Sequence, residues 1–317
     1  MDNTPGASSA GSGAPFYPSF QELPQCALCG KRESELQGSK LKRCTGCTVT
    51  FYCSRDCQKT AWPRHKQLCR YTDKESGIEI GPGHLAGYPA LIALENAIVD
   101  WGEAHSFAFC IIASATAHLN GGVGFTLASA RAIVLRALPR AQNAPGERTP
   151  ANAFRLGGAP EIVRMSEFGS LADGWDGSRV ECERIMENIH RERPDETYAG
   201  VLPAVVVVPG AGFASFRHFP IYRRVRDDSR PLGALERAVM QDVLQMCMGI
   251  VNGGFVMRAS ANSHRADPDV GTLVKKGKKW EWKVKEDWNW TQIGMGCPGE
   301  TRTGAHPVNI WEKFYDL

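Results

Sequence analysis

The sequence has few of the signals that assign a chain to a broad class. Nowhere do eighteen or more apolar residues run together, so no membrane-spanning helix is expected. The start of the chain carries no basic region followed by an apolar stretch, which leaves secretion unsupported. No internal repeat marks the chain as an array. Charge of one sign is not in large excess: 37 Lys and Arg stand against 34 Asp and Glu, a formal net charge of +3. Catalytic constellations are missing as well, since no Cys–His or Ser–His–Asp set can be assembled from the spacings. At 317 residues, with 43% hydrophobic and 22% charged, the composition suits a small module plus one sizeable globular domain or two modest ones.

What the sequence does hold is a run of metal-ligand residues in pairs: Cys26/Cys29, Cys44/Cys47, Cys53/Cys57 and His65/Cys69. Each of the first two pairs is a C-x2-C turn, which brings two thiolates within reach of one tetrahedral ion. Each of the last two sits at i, i+4 on one face of a helical turn. Eight such ligands complete two closed four-coordinate sites. Thiolate with imidazole at that count selects zinc or an iron–sulfur cluster, and a His-containing set with short regular knuckles favours zinc. No position is left for water, so two structural Zn²⁺ ions are expected. A disulfide framework is the alternative, but it has no use for His65 at a ligand position. Spacing alone permits three ways of sharing four pairs between two ions.

The run C-x2-C-x14-C-x2-C-x5-C-x3-C-x7-H-x3-C resembles the MYND-type zinc finger throughout its length. Phe51-Tyr52 before Cys53, Ser54 and Gln58 around Cys57, and Trp62-Pro63-Arg64-His65-Lys66 before Cys69 are also similar to that family. The resemblance implies an interleaved cross-brace, with Cys26, Cys29, Cys53 and Cys57 on one ion and Cys44, Cys47, His65 and Cys69 on the other. It further implies recognition of short proline-containing peptides of partner proteins, in a groove where Gln58 and Trp62 match positions that family members use for contact. An exposed Trp is a suitable anchor for an extended proline-rich ligand, although the same indole could serve to cover a zinc site.

Seven of the 11 cysteines belong to this segment. As metal-bound thiolates, seven negative charges against two dications cancel the formal +3. Cys110, Cys182, Cys247 and Cys297 are scattered and read as reduced, buried thiols of an intracellular protein, without a choice between nucleus and cytoplasm.

In chain order, residues 1–25 read as a disordered leader, too poor in apolar surface to offset the entropy of ordering. Residues 26–69 are the finger, with an exposed loop between Cys29 and Cys44, a short strand at Thr48 to Tyr52, Ser54 as a helix N-cap, and Pro63 dividing two short helices. Residues 70–88 read as a linker, and 89–317 as an α+β domain of unassigned family and unknown role. Within it, Leu91, Leu94, Ile98, Trp101, His105, Phe109 and Ile112 mark a core helix or pair of helices that Gly121-Gly122 ends. Phe125 to Leu138 suits strand or helix, and Pro139 to Pro160 an exposed loop. A strand is expected over Glu161 to Phe168, and a helix over Ser178 to Arg193 capped in front by Asp176-Gly177-Ser178. Ala204 to Val208 is expected as a strand buried on both faces. Leu235, Val239, Val243, Met246 and Ile250 mark a helix ending at Gly253-Gly254. Trp280, Trp282, Val284, Trp288 and Trp290 read as a two-stranded hairpin with one aromatic face. The expected fold class is therefore a small zinc-stabilised cross-brace finger with two zinc sites and short helices, followed by an α+β domain.

Other candidate sites fare less well. A SET-type methyltransferase is disfavoured: catalytic sequence would precede the finger, only 25 residues do, and Asn262-Ser263-His264 has the wrong order for its cofactor motif. Pro209-Gly210-Ala211-Gly212 lacks the third glycine, the following helix and any Gly-Lys-Ser/Thr of a phosphate loop. Asp173, Asp176 and Glu181 lack the spacing of a calcium loop and suit a turn or cap. Lys275 to Trp290 combines six lysines with four tryptophans, the ingredients of a single-strand nucleic-acid surface. A hairpin packed on a core has the same pattern and is the preferred reading. An enzyme of unknown class in residues 89–317 stays open as an alternative.

Overall fold

The computed structural model describes residues 26–36, 38–44, 51–69, 88, 91–128, 130–140, 149–166, 175–192, 198–209, 211, 213–223, 230–260, 266–277, 279–296 and 298–317. The expected leader, all of the expected linker but Tyr88, and Cys47, Asp173, Asn262, Ser263, His264 and Cys297 lie outside these residues.

The finger segment is built on a two-stranded ribbon and one helix. β1 (Lys42–Arg43) pairs antiparallel with β2 (Phe51–Tyr52), Lys42 opposite Tyr52 and Arg43 opposite Phe51. Helix α1 (Arg55–Cys69) follows, capped as expected: the Ser54 hydroxyl accepts the Cys57 backbone N–H at 3.1 Å. Pro63 does not divide it. A proline removes one intrahelical hydrogen bond and crowds the preceding turn, but Ala61 and His65 on either side are both buried and hold the two halves in one helix.

Beyond the finger the core forms around a helix that is apolar on every side. Helices α2 (Leu91–Ala104) and α3 (Ser106–Leu119) are a pair, broken at His105. The α3 sequence SFAFCIIASATAHL carries no Asp, Glu, Lys or Arg, and its side chains are buried without interruption from Phe107 to His118. A helix with no polar face can only be stable when it is enclosed, and α3 packs against both a sheet and a second long helix. Short α4 (Gly122–Leu127) leads into β3 (Arg131–Pro139), which settles the ambiguous 125–138 stretch as part helix, part strand.

Of the stretch expected as an exposed loop, 139–160, the described residues 150–156 instead contribute to the core. Residues 150–152 form a 3-10 turn and β4 (Phe154–Leu156) pairs with β3, with Ala151, Ala153, Phe154 and Leu156 buried. Its Pro, Ala and Gly content resembles a loop because the burial comes from distant partners: Tyr88, at the end of the expected linker, is itself buried and stacks on Phe154 with ring centroids 5.8 Å apart. β5 (Glu161–Arg164) pairs with the other end of β3. Helix α5 (Trp175–Glu192) begins ahead of the expected cap, so Asp176, Gly177 and Ser178 belong to its first turn, while Glu181 pairs with Arg184 one turn on.

β6 (Tyr198–Val208) and β7 (Phe213–Tyr222) form an antiparallel hairpin through Pro209–Gly212, so no helix follows that turn and the phosphate-loop pattern has no structural counterpart. β6 is longer than expected and runs through Pro203, which stands just before the first residue paired with β3, where a missing N–H is tolerated. From Ala204 it is buried on both faces, as its Val-rich run requires. Strands β3 and β6 are parallel, Ile133 opposite Ala204, because α5 carries the chain back between them. The sheet, in order β4-β3-β6-β7 with β5 also on β3, is therefore mixed, and the body is a mixed α/β region rather than segregated α+β.

Helix α6 (Ala234–Gly253) covers the far side of α3 and ends at Gly254, whose φ of +75° is the left-handed cap conformation that glycine adopts without strain. β8 (Val256–Arg258), β9 (Asp269–Lys276) and β10 (Lys279–Val284) make a three-stranded sheet, order β10-β9-β8. The expected tryptophan hairpin is thus corrected: β10 pairs with the preceding β9, and Trp288 and Trp290 turn inward. Trp288 meets Phe255 at 5.0 Å, and Trp290 meets Trp311 of α7 (Pro307–Tyr315) at 6.2 Å. No described helix is long and apolar enough to cross a membrane.

His105, at the α2–α3 junction, is a core histidine. It is fully buried, and its Nε2 donates to the Ala151 carbonyl at 2.8 Å. Burial pushes its pKa down from 6.5 to about 4, with the Ala151 carbonyl opposing and Arg140 adding to the effect. The unfolded chain therefore binds a proton that the folded chain refuses. The stability tied to neutral His105 is present above about pH 6.5 and is lost as pH falls toward 4, about 3 kcal/mol in all. Urea unfolding across that window should show this acid limb, and a His105→Gln variant should flatten it.

Candidate metal centre

The first knuckle is folded by its own backbone. Gly30, at φ +72°, donates its N–H to the Cys26 carbonyl at 2.8 Å, and Cys26 N–H donates to the Lys31 carbonyl at 2.9 Å. Ala27 N–H then donates to the Phe51 carbonyl at 2.9 Å, which ties this knuckle to the end of β2, two residues before Cys53. The Ser54 cap starts α1 so that Cys57 faces the same point. Four residues distant in sequence are thereby gathered by one strand end, one helix start and one turn.

The sulfurs of Cys26, Cys29, Cys53 and Cys57 all lie within 4.8 Å of one another. Individual separations are 3.5 Å for Cys29 to Cys53, 3.4 Å for Cys53 to Cys57 and 4.0 Å for Cys57 to Cys29. A tetrahedral zinc with metal–sulfur bonds of about 2.3 Å requires sulfurs about 3.8 Å apart. The cluster brackets that value, so the residues fit the ion. Among the described residues no other group of three or more His, Cys, Asp or Glu could hold a metal.

Electrostatics point the same way. Burial works against ionisation of Cys26, yet backbone N–H groups of Cys29, Cys53 and Leu28 outweigh it and hold the thiol at about 6. The Cys57 and Cys29 sulfurs beside Cys53 push that thiol up to about 12. Four clustered sulfurs cannot share out their negative charge without a cation, and a coordinating dication removes the remaining protons.

Of the second expected set, Cys44 and His65 are described and both are buried. Cys44 belongs to the buried cluster that contains Cys26, Tyr52 and Ala61, and Tyr52 meets the His65 ring edge-on at 5.9 Å. Cys47 and the Cys69 side chain lie outside the described residues. Gln58 is half-buried and Trp62 is 37% exposed on α1, its ring 5.9 Å from that of His65.

The remaining sequence candidates have structural roles. His118 Nε2 bonds the Tyr222 carbonyl at 3.0 Å, and His306 caps α7 by accepting the Val308 N–H. Cys110 borders a small cleft of about 110 Å³ between α2, α3 and β7, lined also by Glu103, Ser106 and Arg217. Burial pushes the Cys110 thiol up to about 12, so the cleft holds no activated sulfur nucleophile at neutral pH. Sequence reasoning misses Asp242, a fully buried carboxylate of α6.

Comparison with known proteins places the metal cluster in a family. Residues 26–69 match the model of the MYND finger. Egl nine homolog 1 of Homo sapiens is 35% identical over 79 residues, covering 25% of this chain and 17% of that protein. SET domain and MYND-type zinc finger protein 6 of Schizosaccharomyces pombe is 32% identical over 92 residues, 28% of this chain and 18% of the relative. MYND-type zinc finger protein samB of Aspergillus clavatus is 44% identical over 52 residues, 16% and 8% respectively. The chain thus spans less than a fifth of the length of each, and the likeness is confined to short segments. No solved structure gives a significant match. Residues 26–69 are a MYND-type zinc finger, a metal-binding module of a kind that generally mediates protein–protein interaction.

Proposed function

We propose that the finger is a two-zinc recognition module that captures a proline-rich segment of a partner protein and tethers to it the domain formed by residues 89–317. Cys26, Cys29, Cys53 and Cys57 hold one ion; Cys44, Cys47, His65 and Cys69 hold the second. Burial of Cys44 and His65 around Tyr52 supports the second set. Reduced Cys110, Cys182 and Cys247 support an intracellular setting.

The observation that carries the peptide reading is Trp62. It stands 37% exposed beside the buried His65, and an indole offers large apolar area at small entropic cost to an extended proline ligand. Gln58, one helical turn earlier, lies on the same face and can bond the ligand backbone. Titration of a Pro-x-Leu peptide into the zinc-loaded protein should show saturable binding. Trp62→Ala should weaken it by about tenfold or more while the zinc count is unchanged. Equal affinity of the variant and the parent would remove Trp62 from the groove.

A further inference from the structure

Two of the four tryptophans between residues 280 and 290, Trp280 and Trp282, are half-buried on β10, and the strands place a cation over each. Trp280 and Trp282 share one face of β10, and the register sets Trp280 opposite Lys275 on β9. Lys275 Nζ stands 5.9 Å from the Trp280 ring centroid, and the Arg258 guanidinium carbon 4.8 Å from that of Trp282. Arg258 belongs to β8, on the far side of β9. It reaches Trp282 because the intervening residue is Gly271, where an added Cβ would come within 2.6 Å of the indole Nε1. That Nε1 donates to the Val256 carbonyl of β8 at 3.1 Å, which fixes the ring across the sheet.

The surroundings are basic. Lys275 and Arg258 are exposed on the face of the indoles, and Lys276, Lys279 and Lys283 are exposed on the opposite face of the same edge. The nearby acids are fewer: Asp269 stands opposite Arg258 and accepts from Ser260, Glu281 pairs with Lys276 at 3.2 Å, and Asp287 pairs with Lys285 at 2.7 Å. β10 is an edge strand, so among the described residues nothing pairs beyond it.

We propose that this face binds single-stranded nucleic acid, with bases stacking on Trp280 and on the Arg258–Trp282 pair and phosphate held by Lys275, the lysine that the register places on the same face. Residues i and i+2 of a strand are about 6.8 Å apart, a step that an unstacked single strand can span. Aromatic rings and guanidinium planes are the surfaces on which such bases stack. An acidic peptide would use the lysines but would have no use for two indoles backed by cations. This reading is independent of the finger.

The test is fluorescence anisotropy of a labelled oligothymidylate with the full-length protein at increasing salt. Affinity should fall steeply with salt. Trp280→Ala should weaken binding by about tenfold at fixed salt, and Lys275→Glu should lower the log–log salt slope by about 0.7 or more. Lys275 is exposed and Trp280 half-buried, and an unchanged urea midpoint would show that each variant is folded. Lack of binding at low salt would overturn the proposal. So would binding that both variants leave intact, binding lost instead on Lys59→Glu in the finger, or equal affinity for a duplex or for polyglutamate.

Discussion

Replacing Cys53 with serine is expected to unfold residues 26–69 and release their metal, the largest effect predicted for any single substitution in this chain. The finger has little else to hold it. Its buried cluster is Cys26, Leu41, Cys44, Tyr52 and Ala61, two of them ligands in the proposed cross-brace. A core of that size does not offset the entropy of ordering about 40 residues. Metal binding contributes about 10–16 kcal/mol in zinc-finger peptides at neutral pH, so the finger is folded only when loaded. Cys53 is the sulfur closest to two others, at 3.4 and 3.5 Å, and its loss opens the tetrahedron at the centre. Limited proteolysis should show cleavage within the finger of the variant, and the same cleavage should follow chelation of the unmodified protein. Residues 89–317 should keep a cooperative urea transition in both cases.

The second large effect is predicted at Asp242. Its carboxylate is fully buried in α6 and accepts three hydrogen bonds from the segment ahead of α7: Arg302 N–H at 2.8 Å, Thr303 N–H at 2.9 Å and the Thr303 hydroxyl at 2.8 Å. Thr301 closes the same turn by donating to the Ala305 carbonyl at 3.0 Å. This carboxylate fastens the C-terminal helix, with its buried Ile310 and Trp311, onto α6. Asp242→Ala leaves three donors without their acceptor in a buried setting, and the expected cost is roughly 3–5 kcal/mol. Asp242→Asn keeps the shape and one acceptor oxygen and should cost less. Urea midpoints of the two variants measure both values. Equal midpoints for Ala and wild type would mean that the turn at 301–305 is held by something else.

Asp242 also shows where sequence reading stops. In α6 it lies among Val239, Val243, Met246 and Ile250, and a lone acid inside an apolar stripe is the only local sign that it is buried. Its partners lie sixty residues on, and no spacing rule reaches that far. β4 was hidden for the same reason. Its Pro, Ala and Gly neighbours look like loop, and Phe154 becomes core only through Tyr88, Trp101 and β3. Trp288 and Trp290 continue an alternation begun by Trp280 and Trp282, yet Phe255 and Trp311 draw them inward, and Arg258 could not be linked to Trp282 without the register of three strands.

What was legible was local. The finger can be read because ligand spacing is set by the metal rather than by packing, and the family resemblance implies which pairs would share an ion. The α2–α3 pair, α6 with its Gly254 cap, and the β6 core followed from periodicity and continuous apolar runs. Pro63 does not break α1, because burial of Ala61 and His65 outweighs one lost hydrogen bond.

The proposed cross-brace uses all eight ligand residues. Native mass spectrometry of the unmodified full-length protein counts the ions directly. Two zinc ions per chain are predicted, falling to one in His65→Ala. A single zinc in the unmodified protein, lost with Cys53→Ser and indifferent to His65→Ala, would contradict the cross-brace and leave the Cys26, Cys29, Cys53 and Cys57 cluster as the whole metal centre.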